Sequence, residues 1–130
     1  MPQFDSAFPW DRRLPPLGQY NRAKPWSEAQ YLAALRVALV ELFGARLAKV
    51  TLFGSRARGD AQPESDYDVA VFLHERAALD DPAFLLADLS TSLLFRSGGR
   101  VAQFVVFDAA EQDQRSTMLL ENIRREGRVL

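Results

Sequence analysis

The sequence contains no cysteine, a single histidine, no excess of either charge and no apolar run of membrane-spanning length. Without cysteine there are no disulfides and no thiolate metal sites, and a reducing compartment is allowed. The lone histidine, His74, falls at an expected strand end beside Glu75 and Arg76. It reads as a solvated turn residue, because a catalytic or ligating histidine needs partners that the sequence does not supply. Sixteen Lys and Arg stand against seventeen Asp and Glu, for a net charge of −1. That balance gives no strong nucleic-acid signal. The first ten residues, MPQFDSAFPW, place an acid and two prolines where a secretion signal needs an apolar stretch, so a cytoplasmic location is expected and no membrane association. Internal repeats and low-complexity runs are also missing. What is present is an ordinary globular composition, 48% hydrophobic and 25% charged, at a length of 130 residues that suits one domain with a real core.

Residues 1–26 differ from the rest. Five of the seven prolines and both tryptophans fall there. Proline at that density forbids regular helix, while Phe4, Phe8, Trp10, Tyr20 and Trp26 argue against pure disorder. The segment is expected to be an extension that straps the domain, a partner-docking arm being the alternative. Residues 27–130 form the domain proper. Ser27 and Gln30 make a capping box for a helix to Phe43, with Leu32, Leu35, Leu39, Leu42 and Phe43 as its apolar stripe and Gly44 as its stop. A strand follows from about Ala48 to Phe53, then a second from Val69 to Leu73. Asp81-Pro82 starts a helix to about Ser97, with Leu85, Leu86, Leu89 and Leu93 inward. A third strand spans Arg100 to Phe107. Glu111 to Glu126 is expected as the last helix, with Leu119, Leu120 and Ile123 inward and Arg124 and Arg125 solvated. Arg128 to Leu130 can add a short edge strand. The order predicts a small α/β domain, a mixed β-sheet covered by helices.

The informative stretch is Val50 to Leu73, VTLFGSRARGDAQPESDYDVAVFL. Asp66 and Asp68 are two apart at the mouth of a strand, so alternation sends both carboxylates to one side. Such a pair of like charges calls for compensation, and Mg²⁺ is the simplest, bound through one or two carboxylates plus substrate phosphates. Gly54 allows close backbone approach, Ser55 adds a hydroxyl, and Arg56 and Arg58 follow. If Ser55 to Arg58 open a short helix, its free N–H groups also face an anion. The stretch reads as a site for a nucleoside triphosphate and a metal.

Gly54-Ser55-Arg56-Ala57-Arg58-Gly59, followed after ten intervening residues from Ser55 by Asp66 in Ser65-Asp66-Tyr67-Asp68, resembles the signature of the nucleotidyltransferase superfamily related to DNA polymerase beta. It is most similar to the minimal nucleotidyltransferases. The resemblance does not cover residues 1–26. It implies a small nucleotidyltransferase fold in which Asp66 and Asp68 bind Mg²⁺, Gly54, Ser55, Arg56, Arg58 and Ser65 bind the nucleotide, and ATP is the substrate. It also implies a protein partner, a helical HEPN-type toxin that this branch restrains as an antitoxin, by complex formation and in some cases by adenylylation. The resembled family places a third carboxylate on the third strand, where this chain has Gln103. Asp108 lies five residues on, on the other face, and is expected to cap the final helix. The reading is therefore transfer of AMP to a partner protein, with a catalytically weakened, stoichiometric binding antitoxin as the alternative. Transfer to a small molecule such as an aminoglycoside has less support, since no substrate domain is visible.

Overall fold

The computed structural model describes residues 25–78, 81–112 and 117–130. The expectation for residues 1–26 therefore lies, apart from Pro25 and Trp26, outside the described residues. Helix α1 spans Glu28–Phe43. Its capping box forms as the sequence demands: the Gln30 N–H donates to Ser27 Oγ at 3.1 Å, and the Ser27 N–H to Gln30 Oε1 at 2.9 Å. A 3₁₀ turn, Gly44–Arg46, leads into strand β1, Leu47–Phe53. The five-residue helix α2, Gly54–Arg58, closes on Gly59 at φ +85°. Strand β2 is Tyr67–Leu73, two residues longer at its start than its apolar run suggests. Helix α3, Pro82–Ser97, begins with the Asp81 side chain accepting from the Phe84 N–H. Strand β3 is Ala102–Asp108, helix α4 is Met118–Glu126, and Arg128–Val129 forms strand β4.

The sheet order is β3-β2-β1-β4. β1 is antiparallel to β2 and to β4, while β2 and β3 run parallel, so the sheet is mixed. Alternation along β2 sorts its side chains by face. Tyr67, Val69, Val71 and Leu73 are fully buried against α1 and α3, in a core shared with Tyr31, Leu35, Leu39, Leu86, Leu89 and Leu93. Asp68, Ala70 and Phe72 look the other way, where, among the described residues, Ala70 and Phe72 meet only Leu120 and Ile123 of α4 as buried neighbours. Among the described residues no helix is long and apolar enough to cross a membrane.

The C-terminal third departs from expectation. Asp108 does not cap the last helix. Its carboxylate accepts from the Ala110 N–H and its own N–H donates to Glu111 Oε1, a capping box for the 3₁₀ turn Ala109–Glu111. Its second oxygen accepts from the Arg76 N–H. The N-cap of α4 is Thr117, whose hydroxyl accepts from the Leu120 N–H at 3.1 Å. Leu119, expected inward, is 39% exposed. Leu120 and Ile123, one turn apart, carry the contact with the sheet instead. His74 is an exposed turn residue directly after β2.

Candidate nucleotide and metal site

β1 delivers the chain to Gly54 at φ +71°, a left-handed conformation that side-chain-bearing residues avoid. A Cβ at this position would collide with Asp68 Oδ2 and lie 3.2 Å from Asp68 Cγ. The antiparallel register accounts for the contact, since Phe53 pairs with Asp68 and the next residue turns over that side chain. The glycine corner and the acid are therefore one place. Asp68 has its pKa raised above the ordinary carboxylate value, first by burial and then by the neighbouring Asp66 carboxylate, with Arg58 pulling the other way. The two acids feel each other across one face, as the spacing of two requires. Among the described residues no cluster of three or more acids or histidines is placed to hold a metal.

Gln103 is the residue expected at the position of a third acid. It pairs with Asp68 in the parallel β2–β3 register, and its Nε2 donates to Asp66 Oδ2 at 2.6 Å. The amide thus reinforces one carboxylate of the pair without adding charge. Asp108, at the opposite end of the same strand, is opposite Leu73.

The two arginines of the motif separate. Arg58, 44% exposed, is held between Asp60 at 3.2 Å and Glu126 of α4 at 3.1 Å, and its charge reaches Asp68. Arg56 is only 11% exposed and has different work. Its guanidinium donates to the Ser65 carbonyl at 3.2 and 2.9 Å, to the Pro63 carbonyl at 3.1 Å and to Glu28 Oε2 at 3.2 Å. It also stacks 4.3 Å over the ring of Tyr67, which points to the face away from Asp68. Arg56 clamps the loop that carries Asp66. The Ser65 hydroxyl is likewise used inside that loop, accepting from the Gln62 N–H at 2.9 Å. Ser55 stands half-buried beside Gly54, its carbonyl accepting from the N–H groups of Gly59 and Asp60.

Sequence reasoning passed over the far side of this clamp. The Tyr67 hydroxyl donates to Glu28 Oε2 at 3.2 Å and accepts from Arg100, whose Nε donates to the Trp26 carbonyl at 3.1 Å. The signal was available: between two acids that share a face, Tyr67 must point into the core. Two clefts, of about 360 and 310 Å³, lie elsewhere, and neither is lined by the acid pair or by Gly54–Arg58.

Comparison with known proteins agrees with this geometry. A family model described as "Polymerase beta, Nucleotidyltransferase" matches residues 37–130. A protein of Methanocaldococcus jannaschii named "Putative protein adenylyltransferase MJ0604" is 33% identical over 94 residues, 72% of this chain and 87% of the relative. A solved structure described as "Crystal structure of the toxin-antitoxin with AMP-PNP" superposes with a TM-score of 0.52 at 21% identity, covering 79% of this chain and 72% of the other. That last likeness concerns the fold.

Proposed function

Because the chain belongs to the polymerase-beta nucleotidyltransferase family, we propose that it transfers AMP from ATP to a hydroxyl of a partner protein, and that the partner is the helical, HEPN-type toxin of a toxin–antitoxin pair. The observation that carries this reading is the contact between the Gly54 corner and the Asp68 carboxylate, with Asp66 on the same face. Two carboxylates on one face, that of Asp68 with its pKa raised by burial and by its neighbour, fit a divalent cation, which would relieve both burial and mutual repulsion. Asp66 and Asp68 would hold Mg²⁺. When bound, the cation neutralises phosphate charge and makes the α-phosphorus more electrophilic. The chain's own part is positioning. The missing side chain at Gly54 lets the backbone corner lie directly on the Asp68 carboxylate, so that a phosphate held at the corner meets the acid edge, and Arg58, whose charge reaches Asp68, lies close enough to balance the phosphate charge. The acceptor hydroxyl then attacks the α-phosphorus in line and gives up its proton to solvent, the bond to the bridging oxygen breaks, and pyrophosphate departs with that electron pair. The names of the relative and of the structural neighbour, an adenylyltransferase and a toxin–antitoxin with AMP-PNP, support the nucleotide and the partner.

Incubation with ATP labelled at the α-phosphate, Mg²⁺ and a helical HEPN-type toxin that the chain binds should label the toxin. The variant carrying both Asp66→Ala and Asp68→Ala should not label it, and persistent labelling would end the reading. Gln103 favours a second reading, in which the fold binds its partner stoichiometrically and turnover is weak, because a neutral amide cannot replace the charge of a third acid. On that reading the same double variant still neutralises the toxin.

A further inference from the structure

The two acids of the site are held by different means. Asp68 lies inside the sheet, opposite Phe53 on β1 and Gln103 on β3, so backbone ladders on both sides fix it. Asp66 lies before β2 begins, outside both ladders. Side chains place it instead. On the solvent side, the exposed Gln103 amide reaches its carboxylate. On the protein side, Nε and Nη2 of Arg56 both donate to the Ser65 carbonyl, the oxygen of the peptide unit that leads into Asp66. A guanidinium can do this because it is a planar fork, whereas a lysine ammonium is a single point of charge.

The fork is itself held. Its Nη1 donates to Glu28 Oε2, its Nη2 donates also to the Pro63 carbonyl, and its flat face rests 4.3 Å over the Tyr67 ring. That ring is fully buried, its centre 4.8 Å from that of Tyr31, and its hydroxyl is engaged by Glu28 and Arg100. Polar networks whose members are all engaged rigidify what they touch. Asp66 is thus set by a clamp standing on the reverse side of the acid edge.

Rigidity of a carboxylate matters most for a small cation. Mg²⁺ demands near-ideal geometry with oxygens at about 2.0–2.1 Å, whereas Ca²⁺ accepts irregular shells at about 2.3–2.6 Å. We propose that Arg56, with Glu28 and Tyr67 behind it, is a positioning residue that determines ion specificity: by fixing Asp66 against Asp68 it makes the acid edge select Mg²⁺ over Ca²⁺. The inference rests on the reading that Asp66 and Asp68 hold a divalent cation, and it gives Arg56 a part in ion choice rather than in phosphate binding.

Displacement of Mn²⁺ from the full chain by Mg²⁺ or Ca²⁺, followed by electron paramagnetic resonance, measures both affinities without nucleotide or toxin. The parent should prefer Mg²⁺. Arg56→Lys should lower the Mg²⁺ affinity on the order of tenfold, and change that for Ca²⁺ by less than about twofold. Glu28→Gln, at a side chain 42% exposed, removes the charge that holds Arg56 without opening the core, and should move the ratio the same way by a smaller factor. Leu89→Ala, fully buried in the core under α1 and α3, is the control, since it costs stability and should leave the ratio unchanged. Equal losses for both ions, an unchanged ratio in both clamp variants, or an equal shift in Leu89→Ala would overturn the inference and leave the cation site standing. A parent that prefers Ca²⁺ also removes the inference alone. A parent that holds no Mn²⁺ removes the site itself, and the inference with it.

Discussion

The two faces of the sheet are built to different standards, although the same strand supplies both. On the α1/α3 face, Tyr67, Val69, Val71 and Leu73 are fully buried under two helices of sixteen residues each. On the opposite face, Asp68, Ala70 and Phe72 meet a nine-residue helix and a bare acid edge. A period of two thus divides β2 into a scaffold series and a chemistry series. The thick face contributes most of the hydrophobic stabilisation, which lets the thin face tolerate a half-buried like-charge pair. Stability and activity should accordingly respond to different residues.

Leu89→Ala on the thick face tests the division most severely. It should destabilise folding by about 2–5 kcal/mol, read by chemical denaturation, while the folded fraction keeps its transfer activity. A specific loss of activity there would blur the two faces. Gly54→Ala should do the reverse. Backbone strain at φ +71° costs about 1–2 kcal/mol, whereas displacement of Asp68 lowers transfer on the order of a hundredfold. Gln103→Glu supplies a carboxylate where an amide now donates to Asp66, and Mg²⁺ affinity measured by calorimetry should rise on the order of tenfold. No change would mean that position 103 does not reach the cation. The smallest effect concerns pH. The Asp68 pKa is raised in the folded state, so the protonated form is the favoured one and its contribution is fully present below the ordinary carboxylate pKa. That contribution is lost as pH rises through the raised value. Asp68→Asn should therefore match the parent in Tm at pH 3, exceed it at pH 7, and lose that advantage when Mg²⁺ is added to the parent. A lower Tm for Asp68→Asn at pH 7 would contradict the sign.

Much of this was legible because it is local. The Ser27–Gln30 box, the Asp81-Pro82 start and the two strands flanking Gly54 depend on neighbours a few residues apart, and the structure reproduces them. The β4 pairing, Thr51 with Val129 and Leu52 with Arg128, follows the short edge strand expected at the end. What periodicity does not carry is the identity of a distant partner. Arg56 follows the Gly-Ser corner and reads as a phosphate ligand, yet Glu28 and Tyr67 engage it from positions 28 and 11 residues away. Asp108 reads from the sequence as a cap for the final helix, yet with Glu111 it caps a 3₁₀ turn, because that spacing marks a 3₁₀ turn as readily as an α-helix.

The clamp around Tyr67 has a mechanical consequence. The backbone from Ser65 to Asp68 is gripped on one side by Glu28, Arg56 and Arg100, and offers its acids on the other. A ligand that draws Asp66 and Asp68 together pulls on a segment whose reverse side is tied to the beginning of α1 and to Trp26. Occupancy of the acid edge should then register as slower amide exchange at the amino end of α1, a region that the ligand never touches.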